Sequence, residues 1–160
     1  MDDTSDFQYF YAKVEKLYYE DLVEGKVLDV GSYLVEKEAV INFAKEWDPQ
    51  PFHIDEEAAN KSIFGCLTGS SIHMKAVLSK VVSAGIGNLA AVASLFTSYN
   101  MPNPMRVGDT LHFTTVLIDK RLSNSRPGIG IVSFAATATN QNGEVIMNHE
   151  SSAMVECRPE

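Results

Sequence analysis

The chain has 160 residues, 45% of them apolar and 21% charged, and a formal net charge of −8. That size and composition fit one globular domain with a sizeable core, and an acidic chain without a dense Lys/Arg cluster excludes nucleic acid or an anionic membrane as the expected partner. Cys66 and Cys157 read as free thiols, no run of about 18 apolar residues marks a membrane span, and the acidic start Met1-Asp2-Asp3-Thr4-Ser5-Asp6 does not read as a secretory signal, so a cytoplasmic protein is expected.

A single domain over 1–160 is expected, with 1–17 as an N-terminal extension. In that extension Phe7, Tyr9, Phe10, Tyr11 and Val14 stand among charges, a density that suggests a segment docked on the body or on a second subunit. Over 27–35, Leu28, Val30, Ser32 and Leu34 alternate with their neighbours, the pattern of a strand in which Gly31 marks a bend. Val40, Phe43, Ala44 and Trp47 then fall at i, i+3, i+4 and i+7, predicting an amphipathic helix over 37–47.

Next comes Asp48-Pro49-Gln50-Pro51-Phe52-His53. Pro49 and Pro51 fix their own φ and push the preceding residue out of the α region, so this stretch is expected to be a stiff, non-helical turn. An aspartate that titrates near ~4 and a histidine near ~6.5 suit a pair that activates water at neutral pH. The plain alternative is an Asp-Pro turn followed by a histidine bonded to local backbone. Asp55 is placed to cap a short acidic helix through Glu56, Glu57, Ala58 and Ala59.

Phe64-Gly65 and Gly69-Ser70-Ser71 lead into a second helix over 72–84 whose apolar surface is wide enough to predict burial on most sides, with Gly85 and Gly87 as its stop. The rest reads as strands: 89–99, broken by Met101-Pro102-Asn103-Pro104; 110–121 after the turn Val107-Gly108-Asp109; 129–139 after a loop; and 144–157 after the hairpin signal Asn142-Gly143. Helices segregated from a run of strands imply an α+β architecture, one antiparallel sheet wrapped around a long central helix. Sheet edges need cover, so a homodimer is expected. Lys120, Arg121 and Arg126 are either a phosphate-holding group or a solvated strand end. His73, His112 and His149 read as structural, and the four histidines lack metal-ligand spacing, so no metal is expected.

Taken together, Asp48, Gln50, Pro51, Phe52, His53, Asp55, Glu56, Ala59, Phe64, Gly65 and Gly69-Ser70-Ser71 resemble the motif of the MaoC-like acyl dehydratase family, which includes the R-specific enoyl-CoA hydratases. Arg106-Val107-Gly108-Asp109-Thr110-Leu111, then Ser123, Ser125, Arg126, Pro127 and Gly130, and finally Asn140-Gln141-Asn142-Gly143-Glu144 extend the resemblance over 18–158. It implies a hotdog fold, two copies side by side, and a coenzyme A or acyl-carrier-protein thioester as ligand. The implied reaction is reversible hydration of a trans-2-enoyl thioester to a 3-hydroxyacyl thioester, without a cofactor. By the same resemblance Asp48 and His53 are the catalytic pair and the Ser71 backbone N–H receives the thioester oxygen. Gly69, Ser70, Phe64 and Arg126 are the implied substrate-binding residues.

Two positions depart from the family pattern, Ser71 where glycine is usual and Gln50 where asparagine is usual. They motivate an alternative, a hotdog subunit that binds an acyl thioester or a partner without turning it over. A thioesterase on the same scaffold is a further alternative.

Overall fold

The structure is a computed structural model and describes residues 15–160. The aromatic stretch from Phe7 to Val14, expected to dock on the body or on a second subunit, lies outside them. In chain order come a 3-10 turn (Tyr19–Asp21), β1 (Val27–Leu34), α1 (Lys37–Trp47), α2 (Pro51–Ile54), α3 (Glu56–Lys61), β2 (Thr68–Gly69), α4 (Ser71–Ile86), β3 (Ala91–Asn100), β4 (Met105–Arg106), β5 (Thr110–Leu122), β6 (Ile129–Thr139) and β7 (Val145–Glu156). Five strands form one antiparallel sheet in the order β1-β5-β6-β7-β3, and β2 pairs with β4 apart from it. The long helix α4 packs on one face of that sheet, chiefly against β1 and then β5. This is the hotdog arrangement, of α+β class. No described helix is long and apolar enough to cross a membrane.

The sheet has a buried face because its strands alternate. On β5, Leu111, Phe113, Thr115 and Leu117 are buried while His112, Thr114 and Ile118 are exposed, the period of two that a pleated strand imposes. Facing them, α4 contributes Met74, Val77, Leu78 and Val81 at helical spacing. Each large side chain so buried contributes roughly 1.5–3 kcal/mol. Two turns knit the ends of the sheet together. The buried Asp109 carboxylate accepts the Arg106 N–H at 3.3 Å and the Gln141 amide at 3.0 Å, and Asn140 Oδ1 accepts the Asn142 and Glu144 N–H groups, both at 3.0 Å.

Gly85 does not end α4 as expected. The helix continues through it to Ile86, and Gly87, at φ 86°, closes it. A Cβ at residue 85 would stand 2.3 Å from the Val30 carbonyl oxygen, so the bare backbone there is what lets α4 approach β1. Nor is α4 buried on most sides within one chain: Ile72, Ala76, Lys80 and Ala84 are exposed. A single sheet covers a single stripe of a helix, and these positions face the other way.

On the half of the sheet away from β1, α4 meets the strands through polar groups. His149 on β7 is buried, with Nε2 3.0 Å from Lys75 Nζ on α4 and 2.8 Å from Thr97 Oγ1 on β3. Burial, and then the Lys75 charge, push His149 down to about 4. An unfolded histidine titrates near ~6.5, so between these values the unfolded chain binds a proton that the folded chain refuses. This contribution to stability is complete above about 6.5 and disappears as the pH falls toward about 4. Urea unfolding at two pH values, one near neutrality and one near the lower limit, should show the native protein losing more stability than His149→Gln. After solvent screening the difference should be roughly 1–2 kcal/mol. Equal losses in the two proteins would exclude His149 as the source.

Candidate active site

The corner that carries Asp48 and His53 is built from the end of one helix and the start of the next. Asp48 is the C-cap of α1, its N–H bonded to the Ala44 carbonyl at 2.9 Å. The following segment was expected to resist helix formation, yet Pro51 opens the one-turn helix α2. The reason is positional: the first helical residue has no intrahelical use for an N–H, and a fixed φ near ~−65° is already helical, so proline is well placed there. Gln50 remains extended, at ψ 142°, as a residue before proline should. Its side-chain amide donates to Asp48 Oδ1 at 3.1 Å. The longer glutamine therefore still braces the carboxylate.

His53 is buried on α2, and its Nδ1 lies 2.6 Å from the Thr68 carbonyl oxygen. A carbonyl can only accept, so Nδ1 carries the hydrogen and, in the neutral ring, Nε2 keeps a lone pair. Nε2 stands 3.8 Å from Asp48 Oδ2, too far for a direct hydrogen bond. The carboxylate and the imidazole are thus neighbours whose acceptor sites are not spent on each other.

Thr68 and Gly69 form β2, and Ser70 and Ser71 follow at once. Ser70 is the N-cap of α4, its buried hydroxyl accepting the His73 N–H at 3.2 Å. Ser71 is the first residue of the helix, where intrahelical bonding leaves N–H groups over and the helix dipole favours negative charge. Among the described residues no non-glycine has a positive φ, so serine at 71 imposes no unusual backbone. Gly69 is a different matter: a Cβ there would sit 2.0 Å from Met105 Cε.

Asp48, His53, Phe64, Gly69 and Ser71 line one cleft of about 360 Å³, together with Gln50, Phe52, Thr68 and residues 101–104. Ser70 stays out of it, its hydroxyl taken by the cap. Arg126 also does not line the cleft; it is exposed in the β5–β6 loop with its guanidinium 3.7 Å from Met154 Sδ. Lys120 donates to the Tyr19 and Leu22 carbonyls at 3.2 and 2.7 Å, which ties down the N-terminal turn. His73 stacks flat on Phe43 with ring centres 4.4 Å apart, and burial holds it below the usual histidine range. No group of three or more His, Cys, Asp or Glu among the described residues could hold a metal. One contributor went unnoticed in the sequence: Thr68 acts through its backbone carbonyl, which no residue type advertises.

Residues 20–139 match the family model described as MaoC like domain. A crystal structure of a MaoC-like dehydratase from Rhodospirillum rubrum is 40% identical in sequence, with a TM-score of 0.83, over 90% of this chain and 99% of that one. Among characterised sequences, an (R)-specific enoyl-CoA hydratase of Rhodospirillum rubrum is 23% identical over 88% of this chain and 93% of its own length. The Bacillus subtilis protein YdeM, itself uncharacterised, is 27% identical over 82% of this chain and 93% of its own.

The Thr68 bond dictates a tautomer that can be observed. Free neutral imidazole can carry its hydrogen on either nitrogen, so a fixed choice reports the protein environment. In nitrogen-15 spectra at a pH where His53 is neutral, Nδ1 should show the protonated signature and Nε2 the lone-pair signature. The reverse pattern would mean that the Thr68 carbonyl does not orient the ring.

Proposed function

The chain belongs to the MaoC-like domain family, and from that membership we propose that it is a hydro-lyase that adds water reversibly to a trans-2-enoyl-CoA to give a 3-hydroxyacyl-CoA. The observation that carries the proposal is the pinned imidazole: His53 Nδ1–H is committed to Thr68, which leaves Nε2 and Asp48 Oδ2, 3.8 Å apart, as two acceptors on one cleft. A water that donates one hydrogen to each is held with its oxygen toward the substrate.

Attack of that oxygen on C3 moves the C2=C3 electron pair toward the thioester, and the Ser71 N–H stabilises the enolate oxygen that results. The pair takes a proton from the water and supplies one to C2, so water adds with no net change in the enzyme. Because the two groups are coupled, the proton belongs to the pair rather than to either member. General acid–base help of this kind is worth roughly 10²–10⁴ in rate, and one well-placed oxyanion donor about 3–4 kcal/mol of barrier. The thioester itself acidifies C2, so the proposed reaction calls for no metal or redox cofactor. Kinship with the Rhodospirillum rubrum (R)-specific enoyl-CoA hydratase supports this assignment.

The working unit in this proposal is a homodimer. β3 is an edge strand of ten residues, all exposed, with Val92, Leu95, Phe96 and Tyr99 among them, and a long apolar edge invites pairing with a second strand. Sedimentation equilibrium should give twice the chain mass; a monomer at micromolar concentration would reject the dimer.

Hydration is tested by mixing the protein with crotonyl-CoA and longer enoyl-CoAs and following loss of the conjugated thioester absorbance. Asp48→Asn and His53→Ala should each lower kcat by about 10²–10⁴-fold while still binding the saturated butyryl-CoA. Undiminished turnover in both variants would remove the pair from the mechanism.

A further inference from the structure

Beneath α4 lies a second cavity, of about 320 Å³, between the helix and the β6–β7–β3 part of the sheet. Its walls are mostly apolar, with Leu78, Val82, Ile86 and Phe134 prominent, but it also contains the Lys75–His149–Thr97 group. Lys75 follows Ser71 by four residues, so the two occupy the same face of α4, one turn or about 6 Å apart along the axis. Ser71 lines the catalytic cleft and Lys75 lines the second cavity. An acyl chain whose thioester oxygen rests on the Ser71 N–H therefore has this apolar cavity within one helical turn.

Lys75 is an unusual lining for a purely hydrocarbon tail. Among the described residues no carboxylate pairs with it and its one hydrogen-bond partner is His149 Nε2. An ammonium has three hydrogens and no lone pair, so the ring nitrogen accepts one and two hydrogens remain for another acceptor. His149 is neutral at physiological pH, and burial holds Lys75 itself below its usual range. A half-buried cation without a counter-charge is costly, and an anion arriving on a ligand would offset that cost. The cavity combines what a carboxylated acyl chain requires: apolar walls for its methylenes and a cation with open donors for its far end.

We propose that Lys75, assisted by Thr97 and His149, selects enoyl thioesters whose acyl chain ends in a carboxylate, and that the cavity beneath α4 holds that chain. The inference rests on the hydratase reading for the position of the thioester, but recognition of the carboxylate can be measured without turnover.

Two substrates of equal carbon count provide the kinetic test, trans-2-hexenoyl-CoA and its ω-carboxylated counterpart trans-2-hexenedioyl-CoA. The native protein should favour the carboxylated substrate by about tenfold or more in kcat/KM, the ratio should fall to near one in Lys75→Met, and Lys75→Arg should keep part of it. A native ratio of one or less, or a ratio that survives Lys75→Met, overturns the proposal. Calorimetric binding of the unreactive pair hexanoyl-CoA and adipoyl-CoA separates this outcome from failure of the hydratase assignment. Tighter binding of adipoyl-CoA that depends on Lys75, in a protein that hydrates nothing, upholds carboxylate recognition and discards the lyase. Equal affinities of the two thioesters for the native protein discard carboxylate recognition even if hydration is observed.

Discussion

The hydrogen bond from His53 Nδ1 to the Thr68 carbonyl, at 2.6 Å, is the contact on which the site depends. It joins two segments that are separate in the chain, the proline-initiated turn α2 and the two-residue strand β2. Since Thr68 precedes Ser71 by only three residues, anchoring the imidazole to Thr68 also sets its distance from the first N–H of α4. The imidazole and that N–H are thus placed by one short run of backbone. Pairing of Thr68 with Arg106 and of Gly69 with Met105 then holds that run against the body. Packing helps as well: a methyl at 69 would meet the end of the Met105 side chain, which fills the space beside that glycine.

Where α4 lies follows from a second close approach. At Gly85 the helix backbone comes against Val30 on β1, a distance that any Cβ would lengthen. The helix is thereby drawn toward the β1–β5 side of a five-stranded sheet, and β6, β7 and β3 are left less covered. The second cavity lies on that less covered side. A helix centred on the sheet would fill this space with its own side chains.

Much of the fold was legible because local chemistry and tertiary placement agree. The spacing of Val40, Phe43, Ala44 and Trp47 marked α1 to the residue, Asp55 does accept the Ala58 N–H as a cap at 2.7 Å, and Gly143 takes the positive φ of its hairpin. Asp48, His53 and Ser71 also line one cleft. What stayed hidden depends on groups far apart in sequence or on backbone atoms. Gly85 read as a stop signal because a glycine near a helix end is usually one, and only the proximity of Val30 gives it another purpose. Pro51 read as a helix breaker because the rule against proline concerns helix interiors, whereas it occupies a first position. Lys75 and His149 are 74 residues apart, so no local pattern could pair them, and His149 alone looked like one more strand residue.

Asp109, Thr115 and Asn140 are buried elsewhere with their hydrogen bonds made within the fold, whereas the buried groups left without a partner are not scattered. Thr68 Oγ1 and His73 Nδ1, buried without partners among the described residues, lie at and just after β2, and the Lys75–His149–Thr97 group follows one turn further along α4. Apolar replacements of similar volume would on general grounds be neutral or stabilising at such positions. Elsewhere the same helix obeys that preference, with Met74, Val77, Leu78 and Val81 against the sheet. Departures from the optimum for folding are thus concentrated on the start of one helix, from the cleft to the cavity beside it. Unpartnered buried groups gathered beside a cleft are the pattern expected when the constraint comes from a ligand rather than from the fold.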